Sequence, residues 1–102
     1  MAPLALLLVL PPLGTLIHGE ADWINRGWWR SPWGELCCGE HDCRALPSDS
    51  VRAGADGWRF ELDGRRHLVP YGVELPSIDG RYWMCHRLDM SVRCFFVPKP
   101  GM

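Results

Sequence analysis

The chain has 102 residues, with 11 basic side chains against 12 acidic ones and a formal net charge of −1. With no basic run or stripe, a nucleic-acid partner or an anionic membrane surface has no electrostatic support. A chain this short builds one small domain whose high surface-to-volume ratio leaves a hydrophobic core marginal by itself, so a covalent or metal staple is expected.

The first stretch, Leu4 to Leu10 and then Leu13 to Ile17, is apolar, broken by Pro11-Pro12 and too short to span a bilayer as a mature helix. It reads as a secretory signal, although Met1-Ala2-Pro3 supplies no Lys or Arg to the n-region. Gly19-Glu20-Ala21 puts small residues three and one positions before a cut. Cleavage is therefore placed after Ala21, leaving residues 22–102 as a single cysteine-containing domain. No later stretch approaches membrane-spanning length, so no transmembrane segment is expected after signal removal and the product is expected in the periplasm or secreted.

Asp22 to Arg30 starts as a helix capped by Asp22, is weakened by Gly27 and ends at Ser31-Pro32. Trp23, Trp28, Trp29 and Trp33 crowd this region. They predict a lid covering one side of a small sheet, or else an aromatic surface for a glycan, a peptide or a partner.

Cys37-Cys38-Gly39-Glu40-His41-Asp42-Cys43 then gathers three of the five cysteines, a histidine and two carboxylates. Arg44 to Pro47 is extended and Ser48-Asp49-Ser50 is a turn. Trp58-Arg59-Phe60-Glu61-Leu62 alternates apolar with charged residues, the pattern of a half-buried strand. Asp63-Gly64 is a strong two-residue hairpin signal. It sets Leu62 against Arg65, Glu61 against Arg66, Phe60 against His67, Arg59 against Leu68 and Trp58 against Val69. Trp58, Phe60, Leu62 and Val69 then share the core face, with His67 a core histidine and Glu61–Arg66 a solvated pair. Val69 to Pro76 holds two prolines, which confine it to an edge strand or a turn across the sheet end. Arg81 to Arg87 and Val92 to Val97 read as a second hairpin, and Pro98 to Met102 as a frayed tail. The expected fold is mostly β, with a small α+β arrangement as the alternative. It has five or six short antiparallel strands in a bent sheet or open barrel, a Trp-rich N-terminal helix or loop packed on it, and disulfides holding it together.

Cys37, Cys38, Cys43, Cys85 and Cys94 are an odd number, so any one of them can be left over and the other four pair in three ways. Adjacent Cys37 and Cys38 should point to different partners. A hairpin turn at Asp89-Met90 opposes Cys85 and Cys94 at a non-hydrogen-bonded pair, where a bridge is expected; the competing arrangement ties the Cys37 to Cys43 stretch to Cys85 or Cys94. A second use of the stretch is a zinc or copper site built from Cys37, Cys38, His41 and Cys43, with His86 and His67 in reserve. Against it stand the absence of C-x-x-C and the difficulty of keeping thiols reduced outside the cytoplasm. Cys85 and His86, adjacent in a strand, share one ion only across a bulge. A third use is a thiol nucleophile beside His41 and Asp42, but sequence crowding is unlike the spatially assembled triads of hydrolases, and no catalytic residue is assigned.

Cys-Cys-x-x-x-Asp-Cys at 37–43, Val69-Pro70, Asp-Gly-x-x-x-x-Cys at 79–85 and Cys-Phe-Phe-Val-Pro at 94–98 together resemble a group of small exported cysteine-containing proteins of Gram-negative bacteria. The resemblance spans most of residues 33–101. It implies export and a shared fold, and it carries over no activity and no functional residue. The expected role is a binding or structural module of the cell envelope with an envelope protein or glycan as partner and no cofactor; the alternative is a metal-binding protein.

Overall fold

Two hairpins, each closed by a residue turned into the left-handed region, organise the molecule. A computed structural model describes residues 21–37 and 42–99. The stretch before Ala21, where the signal is expected, residues 38–41 with Cys38 and His41 among them, and the tail from Pro100 onward lie outside the described residues. Among the described residues, one helix, α1 (Asp22–Arg26), precedes seven strands: β1 (Cys43–Leu46), β2 (Arg52–Ala53), β3 (Gly57–Leu62), β4 (Arg65–Pro70), β5 (Leu75–Ser77), β6 (Tyr82–His86) and β7 (Val92–Pro98). They form a four-stranded sheet ordered β1-β6-β7-β5 and a three-stranded sheet ordered β2-β3-β4. The mostly β expectation holds, with seven strands rather than five or six and no closed barrel. One pairing, β5 with β7, is parallel, because the chain reverses once between β5 and β6 and again between β6 and β7.

Asp63 and Gly64 sit at φ 51° and 80°, the two positive values a type I′ turn needs. The β3–β4 register follows residue by residue, from Leu62↔Arg65 to Trp58↔Val69. Trp58, Phe60, Leu62 and Val69 pack in one cluster with Met84 and Phe95 of the other sheet. His67 stacks on Phe60 at 5.0 Å between ring centres, half-buried as a core histidine. Glu61 and Arg66 are opposed in register, yet no ion pair forms between them.

The β6–β7 hairpin is buried on both faces. Trp83, Met84 and Cys85 are consecutive buried residues, as are Cys94, Phe95 and Phe96. Odd and even positions therefore serve different layers: Met84 and Phe95 meet the three-stranded sheet, while Trp83, Cys85, Cys94 and Phe96 meet the N-terminal segment. β6 begins at Tyr82 and not Arg81.

The bridges are Cys37–Cys94 and Cys43–Cys85. Cys85 and Cys94 do face one another, but they are not joined. The reason lies in main-chain parity. His86 N–H donates to Asp42 C=O at 2.9 Å, so Cys43 and Cys85 form a non-hydrogen-bonded pair of β1 and β6, with their Cα atoms 3.9 Å apart. Cys85 then aims its own main-chain groups at β7, which makes its pair with Cys94 the wider, hydrogen-bonded kind. The hairpin closes on a three-residue loop, Leu88-Asp89-Met90, with Arg87 N–H donating to Ser91 C=O and Met90 at φ 71°. A bulge at Cys85/His86 absorbs the offset, shifting the parity that an Asp89-Met90 two-residue turn implies. No helix among the described residues is long and apolar enough to cross a membrane.

Candidate binding surface

The four N-terminal tryptophans divide into two that build the core and two that do not. Helix α1 is a single turn and a half, closed by an Asp22–Arg26 ion pair at 2.6 Å rather than by an Asp22 cap. The position before it is Ala21, whose carbonyl accepts from Ile24 N–H at 3.0 Å. Trp23 and Trp29 meet Phe96 edge-on at 5.1 and 5.7 Å between ring centres. Beneath them the Asp79 carboxylate accepts from the indole N–H of Trp23 at 3.2 Å and of Trp83 at 3.0 Å, and from the Ser77 hydroxyl at 2.9 Å. Arg81 stacks its guanidinium 4.8 Å from the centre of the Trp83 ring. Burial pushes the Asp79 carboxyl up, but the Arg81 N–H, the Ser77 hydroxyl, the Trp83 indole and the Arg81 charge together outweigh it and hold the group below its ordinary value.

Trp28 is different. Helices commonly end with glycine in the left-handed position just past the cap. Here glycine comes one residue early. Gly27 keeps a right-handed backbone, and a Cβ on it would lie 2.5 Å from the Trp29 indole nitrogen. The left-handed residue is Trp28, at φ 55°, with 72% of its surface exposed. The fold uses the glycine to let Trp29 pack and leaves a bulky side chain where it is strained and gains no burial. Trp28 borders a groove of about 560 Å³ lined by Ile24, Asn25, Arg26, Trp29 and the exposed Leu36.

Residues 30–37 form a loop held from inside by Ser31. Its buried hydroxyl accepts the N–H groups of Trp33 and Glu35, each at 3.1 Å. Trp33, at the tip, is 63% exposed, with the Arg87 guanidinium 5.3 Å from its ring centre. Glu35 accepts from the same guanidinium at 2.5 Å, and that hydrogen bond is the main cause of its lowered carboxyl pKa. Arg93 clasps both ends of the cysteine stretch, donating to Cys37 C=O at 3.1 Å and to the Asp42 carboxylate at 3.1 Å.

Of the residues considered for a metal, Cys37 and Cys43 are each covalently bonded to another cysteine, and Cys38 and His41 lie outside the described residues. His86 does have the bulge beside it, but its Nδ1 lies 3.0 Å from Arg87 C=O while Cys85 is bridged. Among the described residues no group of three or more His, Cys, Asp or Glu is arranged to hold an ion. Trp28 and Trp33 belonged to the aromatic set visible in the sequence. What sequence reasoning missed is the exposed Leu36 beside Trp28, and the Gly27-Trp28 order is the one signal that pointed there. No family model, curated protein or solved structure matches the chain.

Proposed function

We propose that this is an exported, disulfide-braced binding module of a bacterial cell envelope, and that the groove beside Trp28 takes the apolar face of a sugar ring from an envelope glycan. The observation that carries the reading is Trp28 itself, a left-handed, exposed indole for which packing offers no explanation. An indole face beside the exposed Leu36 supplies the stacking surface, and Asn25 and Arg26 supply donors for ring hydroxyls. Export is supported by the apolar Leu4 to Ile17 stretch, by two bridges in a small domain, and by the resemblance of the cysteine pattern.

Titration with soluble peptidoglycan fragments, followed by indole fluorescence, tests it. A saturable change that disappears in Trp28→Ala and persists in Trp33→Ala supports the reading. No saturable change, or one indifferent to Trp28→Ala, sinks it. Intact mass, thiol titration and elemental analysis of periplasmic protein address the metal alternative. One free or capped thiol without stoichiometric metal supports the module, whereas three or more thiols with bound zinc or copper assign the cysteine stretch to metal.

A further inference from the structure

Strand β4 ends its sheet, and its main-chain groups reveal which residues face the open side. Gly54 N–H donates to Gly57 C=O at 2.8 Å, so Gly57, Arg59 and Glu61 aim their main-chain groups at β2. By alternation, Trp58, Phe60 and Leu62 aim theirs at β4 and form hydrogen-bonded pairs with Val69, His67 and Arg65. The N–H and C=O groups of Arg66 and Leu68, and the C=O of Pro70, therefore point away from β3. No main-chain partner among the described residues meets them. Pro70 fits that position because its missing N–H would have faced the open side.

Two depressions flank this edge. One, of about 280 Å³, lies between β4 and β7 and has an apolar wall of Trp33, Val69, Val73, Val92 and Phe95. The other, of about 510 Å³, is lined by three arginines, Arg52, Arg59 and Arg66, against two carboxylates, Asp49 and Glu61, with Leu68 at the β4 side. Arg59 is held by Asp56 at 2.9 Å, but Arg52 and Arg66 make no ion pair among the described residues.

We propose that the open edge of β4 receives an extended peptide of a partner protein whose side chains alternate between apolar and acidic. Strand addition satisfies the Arg66 and Leu68 main-chain groups. The period of two of an extended chain sends one set of side chains into the Trp33-walled depression and the other set toward Arg66 of β4 itself. This surface is separate from the Trp28 groove, so neither reading depends on the other.

The test is amide hydrogen exchange on isotope-labelled full-length protein with two capped hexapeptides, one alternating valine with glutamate and one alternating valine with lysine. The glutamate peptide should slow exchange at the Arg66 and Leu68 amides by at least roughly tenfold at saturation, and bind at least roughly tenfold tighter than the lysine peptide. Arg66→Glu, a surface change that leaves the β3–β4 ladder intact, should reverse that preference. Leu68→Pro, which deletes one outward donor, should weaken binding while both bridges still form. Unchanged exchange at Arg66 and Leu68 with millimolar peptide overturns the proposal. So does equal binding of the two peptides. Amides already protected without peptide in a protein that sediments as a dimer would assign the edge to a second copy, which overturns it as well.

Discussion

At the scale of single residues, the molecule separates side chains that hold it together from side chains that it merely carries. Asp79 is of the first kind, since its carboxylate caps two indole N–H groups, one on the fully buried Trp83. Asp79→Ala leaves that indole without its acceptor and should cost about 1–3 kcal/mol in urea denaturation at neutral pH. Because the folded carboxyl is held below its ordinary value of 3.8, its stabilisation is present above that pH and is lost as pH falls through the folded value. His67 has the opposite chemistry and the same direction. Burial first, and the charge of Arg65 second, lower its pKa below the ordinary 6.5. The unfolded chain therefore takes up the proton first, and stability falls as pH drops from about 6.5 toward the folded value. Replacing His67 with Gln should flatten the stability profile in that window. Trp28 is of the second kind. Trp28→Gly should leave stability unchanged or raise it by about 1 kcal/mol, because glycine adopts φ 55° without strain, while abolishing any glycan response. A large loss of stability in thermal unfolding would mean that the indole is structural after all.

At the scale of elements, the two hairpins contrast in how they obtain their registers. The β3–β4 turn is written in two residues, Asp63 and Gly64, and everything up to Trp58↔Val69 follows from it. The β6–β7 turn has no glycine; Met90 takes the positive φ, and the bulge at Cys85/His86 restores the alignment of Trp83 with Phe96. Helix α1 raises a separate point. Its first-turn N–H groups rest on Ala21, which is 3% exposed and packed with Ile24, Cys37 and Trp83. A cut after Ala21 would remove that buried methyl and both carbonyl contacts, at a cost of about 1 kcal/mol. A chain prepared to start at Asp22 should therefore unfold at lower urea than one starting at Ala21; equal midpoints would show that α1 forms without this support.

At the scale of the whole molecule, the β6–β7 hairpin is the middle layer and the bridges fasten the N-terminal segment and β1 to it. Cys37–Cys94 spans 57 residues and Cys43–Cys85 spans 42. Each closure is worth about 4 kcal/mol by the chain-entropy estimate, comparable to the entire stability of a small domain. Reduction should therefore unfold the protein at 37 °C, and thiol titration after denaturation without reductant should find one cysteine, Cys38. Two or more thiols in an oxidised preparation would mean that a bridge does not form in the native protein.

The sequence by itself determined the β class, the Asp63-Gly64 hairpin with its register, the core face carrying Trp58, Phe60, Leu62 and Val69, and the place of His67, because each follows from period-two alternation or a two-residue turn. Tertiary structure alone decided which cysteines join, which tryptophans are buried and which strand edge stays open. Cys85 opposes both Cys43 and Cys94, and only main-chain parity, set by a bulge that no local signal announces, brings Cys43 closest. Likewise Trp28 and Trp29 are neighbours of one residue type, and only the approach of Phe96 from 67 positions away makes one of them core. Contacts between distant segments depend on how layers stack, which local patterning does not encode.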